Sequence, residues 1–247
     1  WSSGIHKDGL IFSAIGIVFW LFHQGLQSRF TFKNIFLIII LLFLIFGLRN
    51  FIFFIVVINL TAWYLSHKTG KTKLVFAAIY FFGLMLFFAS SNFSPKINFP
   101  KYIVIKHQEF SQLSGRSEFS TKELQPTLKS FIAYLPTALD IALLRPHSDE
   151  IKNKSYLLAF IENALFGIFI FISFFHRKRN ISIPVVFWVC WLFALSILII
   201  EGYTITFLGA IVRYKSLAIP FIITPILALL DIEKLQKNLK RITHYKK

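Results

Sequence analysis

The chain has 247 residues, 56% of them hydrophobic and 15% charged, with 31 phenylalanines and a net charge of +16. Soluble domains carry about 25% charged residues, so a single water-soluble core is excluded, and the continuous apolar runs are not the alternating strands of an outer-membrane barrel. The basic residues stand in short clusters between those runs, with no basic stripe and no nucleic-acid motif; the charge is topogenic and lipid-directed, with no nucleic acid as partner.

The expected fold is all-α: a polytopic helical membrane protein of about seven transmembrane helices, with one long extracytoplasmic loop that carries an amphipathic helix. Apolar runs at 10–23, 35–48, 51–66 and 74–90 make a four-span part, residues 1–89. A polar interval over 90–155 follows, then runs at 156–175, 183–200 and 216–230, and a basic tail over 231–247. One helix over 35–66 would be about 48 Å long at 1.5 Å per residue, against a core of about 30 Å. A tight hairpin with Arg49 at its tip is therefore expected. Both arms are short, so two full spans and a re-entrant pair both remain open.

Within the polar interval, residues 102–105 read as a short strand and 111–118 as loop, with a helix start near Thr121. Residues 127–144 place Leu128, Phe131, Ile132, Leu135, Leu139 and Leu143 at helical spacing. Pro136 should kink or divide that helix. It reads first as an interfacial helix and second as a soluble cap. Residues 201–215 are expected to form a turn. Pro220 and Pro225 should bend the last span, and the tail should lie as a helix on the membrane surface.

Alternation of the spans sorts the basic residues. Arg29, Lys33, Lys68, Lys71, Lys73, Arg177, Lys178 and Arg179 fall on one side together with the tail. Lys7, Arg49, Arg213 and Lys215 fall on the other. The richer side is cytoplasmic by the positive-inside rule, which short loops govern. Trp1 is then outside, the C-terminus inside, and the polar interval outside with Glu162 and Glu201 near it. Cations that stay outside against this bias call for a reason, and an anionic ligand is one.

Arg145 and Arg213 suit a phosphate or diphosphate in bidentate fashion; ordinary interfacial snorkelling is the alternative. Arg49 has the same capacity, although a hairpin tip needs some polar residue anyway, and Lys7 is either a supporting cation or an interface marker. Glu162, about two turns into its span, is costly there unless paired or wetted, and is a candidate base or an ion-pair partner. His147, near Asp149 and Glu150, is a candidate acid or base, or a solvated loop residue. Lone Cys190 offers no disulfide and no thiolate metal site. No metal or cofactor is implied, and no GxSxG, HExxH, Walker loop or DxD pair is present. The chain starts at Trp1 without a signal-peptide pattern and is read as a fragment with further residues upstream.

The strings WSSGIHKD, LRN, LPTALDIALLRPHSDE, AFIENALFG and LGAIVRYKSLAIP together resemble the C-terminal half of O-antigen-polymerase-like proteins. These are multi-spanning inner-membrane proteins of bacterial exopolysaccharide and O-antigen biosynthesis. The resemblance implies further helices upstream and a polyprenyl-diphosphate-linked glycan handled at the outer leaflet of the bacterial inner membrane. It implies diphosphate binding by Arg145 and Arg213, with Arg49 next and Lys7 in support, and Glu162 or His147 as base. Such a protein is a glycan polymerase or glycosyltransferase. A transporter or flippase of the same lipid, or a non-catalytic scaffold, are the competing readings.

Overall fold

The structure, a computed structural model, describes residues 7–93, 98–112, 123–178, 183–232, 234 and 236. In hydrocarbon a segment must satisfy its own N–H and C=O groups, so each apolar run closes into a helix. In order these are α1 (Lys7–Gln27), α2 (Phe32–Leu48), α3 (Asn50–Thr69), α4 (Thr72–Phe93), α5 (Phe99–Gln112), α6 (Leu128–Leu139), α7 (Lys154–Phe175), α8 (Val185–Thr204) and α9 (Leu208–Leu229). Six of them (α1, α3, α4, α7, α8 and α9) are long and apolar enough to cross a membrane. The seventh expected span, α2, is a shorter apolar helix of 17 residues. The polytopic helical architecture expected from composition is the one observed.

Contacts fix the directions. Asp8 of α1 meets Arg49 ahead of α3, while Phe22 and His23 near the other end of α1 stack on Trp63 near the other end of α3. α1 and α3 therefore run parallel, and α2 returns between them. At that second end Ser66 bonds Thr72 across the α3–α4 turn. There too, the chain after α7 meets the chain after α9, the Asp231 N–H donating to the His176 carbonyl. Gly70 ends α3 with φ of 69°, a left-handed conformation that glycine takes without strain.

The interior is an aromatic knot. Phe19, Trp63, Phe193 and Phe221, from α1, α3, α8 and α9, pack edge to face with ring centroids 4.8–6.1 Å apart along the contacts Phe19–Trp63, Phe19–Phe193, Phe19–Phe221 and Phe193–Phe221. α4 and α7, by contrast, turn most of their length outward. A second core roofs the first end: Ile103 and Val104 of α5, Phe131 and Tyr134 of α6, and Tyr203 and Ile211 from α8 and α9.

Three expectations change. The strand at 102–105 is part of α5, because Ile103, Val104 and His107 share one helical face that buries on α8, while Pro100 lies in the first turn, where its missing N–H costs nothing. The turn at 201–215 shrinks to Ile205–Phe207: α8 runs on through Glu201 to Thr204, and α9 starts at Leu208. Burial of Ile211 on the second core, with Leu208 also buried, starts α9 inside the polar stretch and puts Arg213 and Lys215 on a helix. Pro136 does not divide α6, which continues into a π-helical turn over Asp140–Leu144. Thr127 caps α6 by accepting from the Ser130 N–H at 3.3 Å. The apolar face bearing Phe131 and Tyr134 packs within the protein, while Leu128 and Ile132 stay outward. The expected helix start near Thr121 and most of the basic tail lie outside the described residues.

α6 can dock so closely because α8 has Gly202 at the crossing. A Cβ there would stand 2.0 Å from the Ala138 carbonyl oxygen. Gly202→Ala must push the α6 backbone away, and overpacking of this kind costs about 1–3 kcal/mol. The melting midpoint of the detergent-solubilised protein should fall by several degrees, whereas Gly16→Ala, with open space around its added Cβ, should leave it unchanged.

Candidate functional site

α1 begins at Lys7, which sets Asp8 in its first turn, where the helix's positive end favours a carboxylate. Arg49 is the single residue between α2 and α3, held extended. Arg213 stands on the second turn of α9. Asp8 gathers both arginines. Its Oδ1 accepts from Arg49 Nη2, and its Oδ2 accepts from Arg213 Nε and lies near Arg213 Nη2, at 2.7 Å in each case. The Arg49 guanidinium also stands 4.0 Å from the centroid of the Tyr214 ring, a cation–π contact. Arg49 and Asp8 are largely enclosed, with side chains 10% and 15% exposed, while Arg213 is 46% exposed.

Beside this cluster is a hollow of about 560 Å³. Its walls are the α2–α3 turn with Arg49, α5 with Tyr102 and Lys106, the end of α8 with Glu201, and Tyr214 of α9. Glu201 is 4% exposed, and its Oε1 has no hydrogen-bond partner among the described residues.

A second polar group lies at the same end. Arg145 donates from Nη1 to Glu150 at 2.8 Å, and its Nε is 3.5 Å from Asp140 Oδ2. His147 Nε2 stands 3.2 Å from that same Asp140 oxygen. Asn163 of α7 donates to the Arg145 carbonyl at 2.8 Å. Lys215 of α9, 5% exposed, donates to Asn163 Oδ1 and to the Leu143 carbonyl, each at 3.0 Å.

Among the residues singled out in the sequence, Arg49 and Arg213 meet on Asp8, and Arg145 and His147 meet on Asp140. Lys215, two residues beyond Arg213, links the groups through Asn163. Of these five only Arg49 lines the hollow. Lys7 is exposed at the start of α1, and Glu162 is exposed on α7, where it attracts Lys215. Sequence reading passed over Asp8 as a binder of arginines, and over Glu201, Lys106 and Tyr214 as neighbours. The available signal for Glu201 was an acidic residue closing a long apolar run, which the reading of 201–215 as a turn concealed. Among the described residues no group of three or more His, Cys, Asp or Glu could hold a metal.

No family model, no curated protein and no solved structure matches the chain. The chemistry of the site therefore rests on its own geometry: a guanidinium, an ammonium and a buried carboxylate around an aromatic-walled cavity.

Two measurements test this geometry. Asp8→Asn leaves Arg49 enclosed without its anion; breaking a buried pair costs about 3–5 kcal/mol, and the residual exposure here places the loss near the lower figure. Arg213→Ala removes a half-exposed partner and should cost about 1 kcal/mol or less, so the asparagine variant should melt well below the alanine variant. His107 of α5 sits against the Tyr203 carbonyl, its Nδ1 2.8 Å away, with the Tyr134 ring edge-on. Burial lowers its pKa below the ordinary 6.5, and the bond to Tyr203 opposes that shift more weakly. The unfolded chain thus takes up this proton first, so the contribution to stability is full above pH 6.5 and is lost as the pH falls below it. His107→Asn should flatten that part of the dependence of melting midpoint on pH.

Proposed function

We propose that this is a multi-pass protein of the bacterial inner membrane that handles a polyprenyl-diphosphate-linked glycan, with the diphosphate drawn to Arg49. The supporting observation is the hollow itself. It lies at the membrane end where the polar interval folds over the helices, and an enclosed guanidinium forms part of its wall. The described basic residues of the opposite end (Arg29, Lys33, Lys68, Lys71, Lys73, Arg177, Lys178 and Lys234) favour a cytoplasmic position for that end. The hollow then opens at the outer leaflet.

In glycosyl transfer from such a lipid, charge builds on the departing diphosphate, and preorganised cations stabilise it. Arg49 and Arg213 share one carboxylate, so a net positive charge remains for an incoming anion. Arg213, half-exposed, is the more easily turned toward a ligand. Arg145, between Glu150 and Asp140, and Lys7, exposed at the start of α1, are the supporting cations. His147 and Glu162 stand at the same end as candidates for the base that takes the acceptor proton. The reading is a polymerase or glycosyltransferase.

The test is a set of single substitutions in the source strain, with membrane levels checked and the glycan resolved as a ladder. Arg49→Ala should shorten the glycan strongly at normal protein level, and Arg213→Ala and Arg145→Ala more mildly; Glu162→Gln and His147→Gln complete the series. A normal ladder for all three arginine variants would leave a scaffold. Accumulation of the lipid-linked unit on the cytoplasmic leaflet would favour a flippase.

A further inference from the structure

We infer that Glu201 is the group by which the hollow recognises the sugar: its carboxyl oxygen Oε1 accepts a hydrogen bond from a hydroxyl of the glycan unit whose diphosphate lies on Arg49. This deepens the function proposed above and rests on it. Burying an ionisable side chain without a hydrogen bond is costly, yet Glu201 is 4% exposed and its Oε1 has no protein partner among the described residues. The same residue is part of the wall of a cavity of about 560 Å³, within the range of roughly 300–1,000 Å³ typical of small-ligand sites.

The other polar side chain contributed by α8 to that wall, Thr204, already donates its hydroxyl to the Ile200 carbonyl at 2.9 Å. Tyr102 and Tyr214 also line the hollow and add aromatic surface to its wall. Lys106 of α5 also lines the hollow and makes an exposed ion pair with Glu109 at 2.6 Å, a partner that an entering phosphate would replace. The arrangement thus has an anion-binding part at Arg49 and Lys106 and a hydroxyl-accepting part at Glu201. That division fits a headgroup carrying both phosphate and sugar.

The full chain, reconstituted in phosphatidylcholine nanodiscs, is titrated with undecaprenyl diphosphate and with undecaprenyl diphosphate bearing one N-acetylglucosamine. The unmodified protein should bind the sugar-bearing lipid about tenfold more tightly, the gain from giving a buried, otherwise unpaired oxygen its hydrogen bond. Glu201→Met, similar in length but lacking a strong acceptor, should abolish that preference and leave the affinity for the bare lipid unchanged or improved. Glu201→Gln, which keeps one acceptor oxygen, should restore part of it, and it also serves if the methionine variant does not fold. Arg49→Ala should weaken both lipids alike. A preference that survives in Glu201→Met, or is absent from the unmodified protein while Arg49→Ala still weakens both, overturns the role of Glu201 and leaves the proposed function standing. Failure of the unmodified protein to bind either lipid overturns both.

Discussion

One carboxylate, that of Asp8, joins three parts of the chain that are far apart in sequence: the start of α1, the one-residue link at Arg49, and the second turn of α9. Two guanidiniums share it. In a low-dielectric setting a lone buried charge is very costly, and a pair is tolerated only with good geometry and added hydrogen bonds. Here Arg49 gains the Tyr214 ring as well as Asp8, and Arg213 keeps part of its side chain open. The cluster therefore holds the helix ends in register and still has one positive charge more than it has negative. The same excess makes this end of the protein attractive to an anion.

Apolar burial alone cannot choose partners among helices in a membrane, because lipid tails are as apolar as leucine. Shape and polar contacts must do so. The aromatic knot of Phe19, Trp63, Phe193 and Phe221 supplies the shape. The Asn59 amide donates to the Tyr80 hydroxyl at 2.7 Å and supplies a polar contact between α3 and α4. At the polar end, Gly202 brings α6 within reach of α8, and the Tyr203 hydroxyl donates to the Phe131 carbonyl at 2.7 Å. The last two contacts draw α6 onto the bundle, and His107 against the Tyr203 carbonyl holds α5 there as one wall of the hollow.

The residue pattern reveals the spans because transfer to hydrocarbon is a local property that ten or twenty consecutive side chains settle among themselves. The placement of Arg49 between two short apolar helices was legible for the same reason. What was not legible depends on distant partners. α5 is a helix because α8 offers its face a place to bury, and nothing within residues 99–112 announces α8. α9 starts early because Ile211 reaches a core built largely from α5 and α6, so Arg213 and Lys215 looked like turn residues. Glu162 looked buried from its depth along a span, yet the rotation of α7 leaves it exposed, whereas Glu201 is enclosed. A helix's depth can be counted from sequence; which way each side chain faces is decided by its neighbours.

On the proposed reading, Asp8, Arg49 and the hollow beside them face the outer side of the membrane, with α2 and α3 each crossing fully. The most direct test is labelling of single cysteines with a membrane-impermeant maleimide in intact cells, in a Cys190→Ala background. The account predicts that Asn50→Cys and Lys152→Cys react from outside, while Lys33→Cys and Lys68→Cys react only after permeabilisation. Protection of Asn50→Cys in intact cells while Lys152→Cys reacts would contradict it, because α2 and α3 would then form a re-entrant pair with Arg49 away from the outer face.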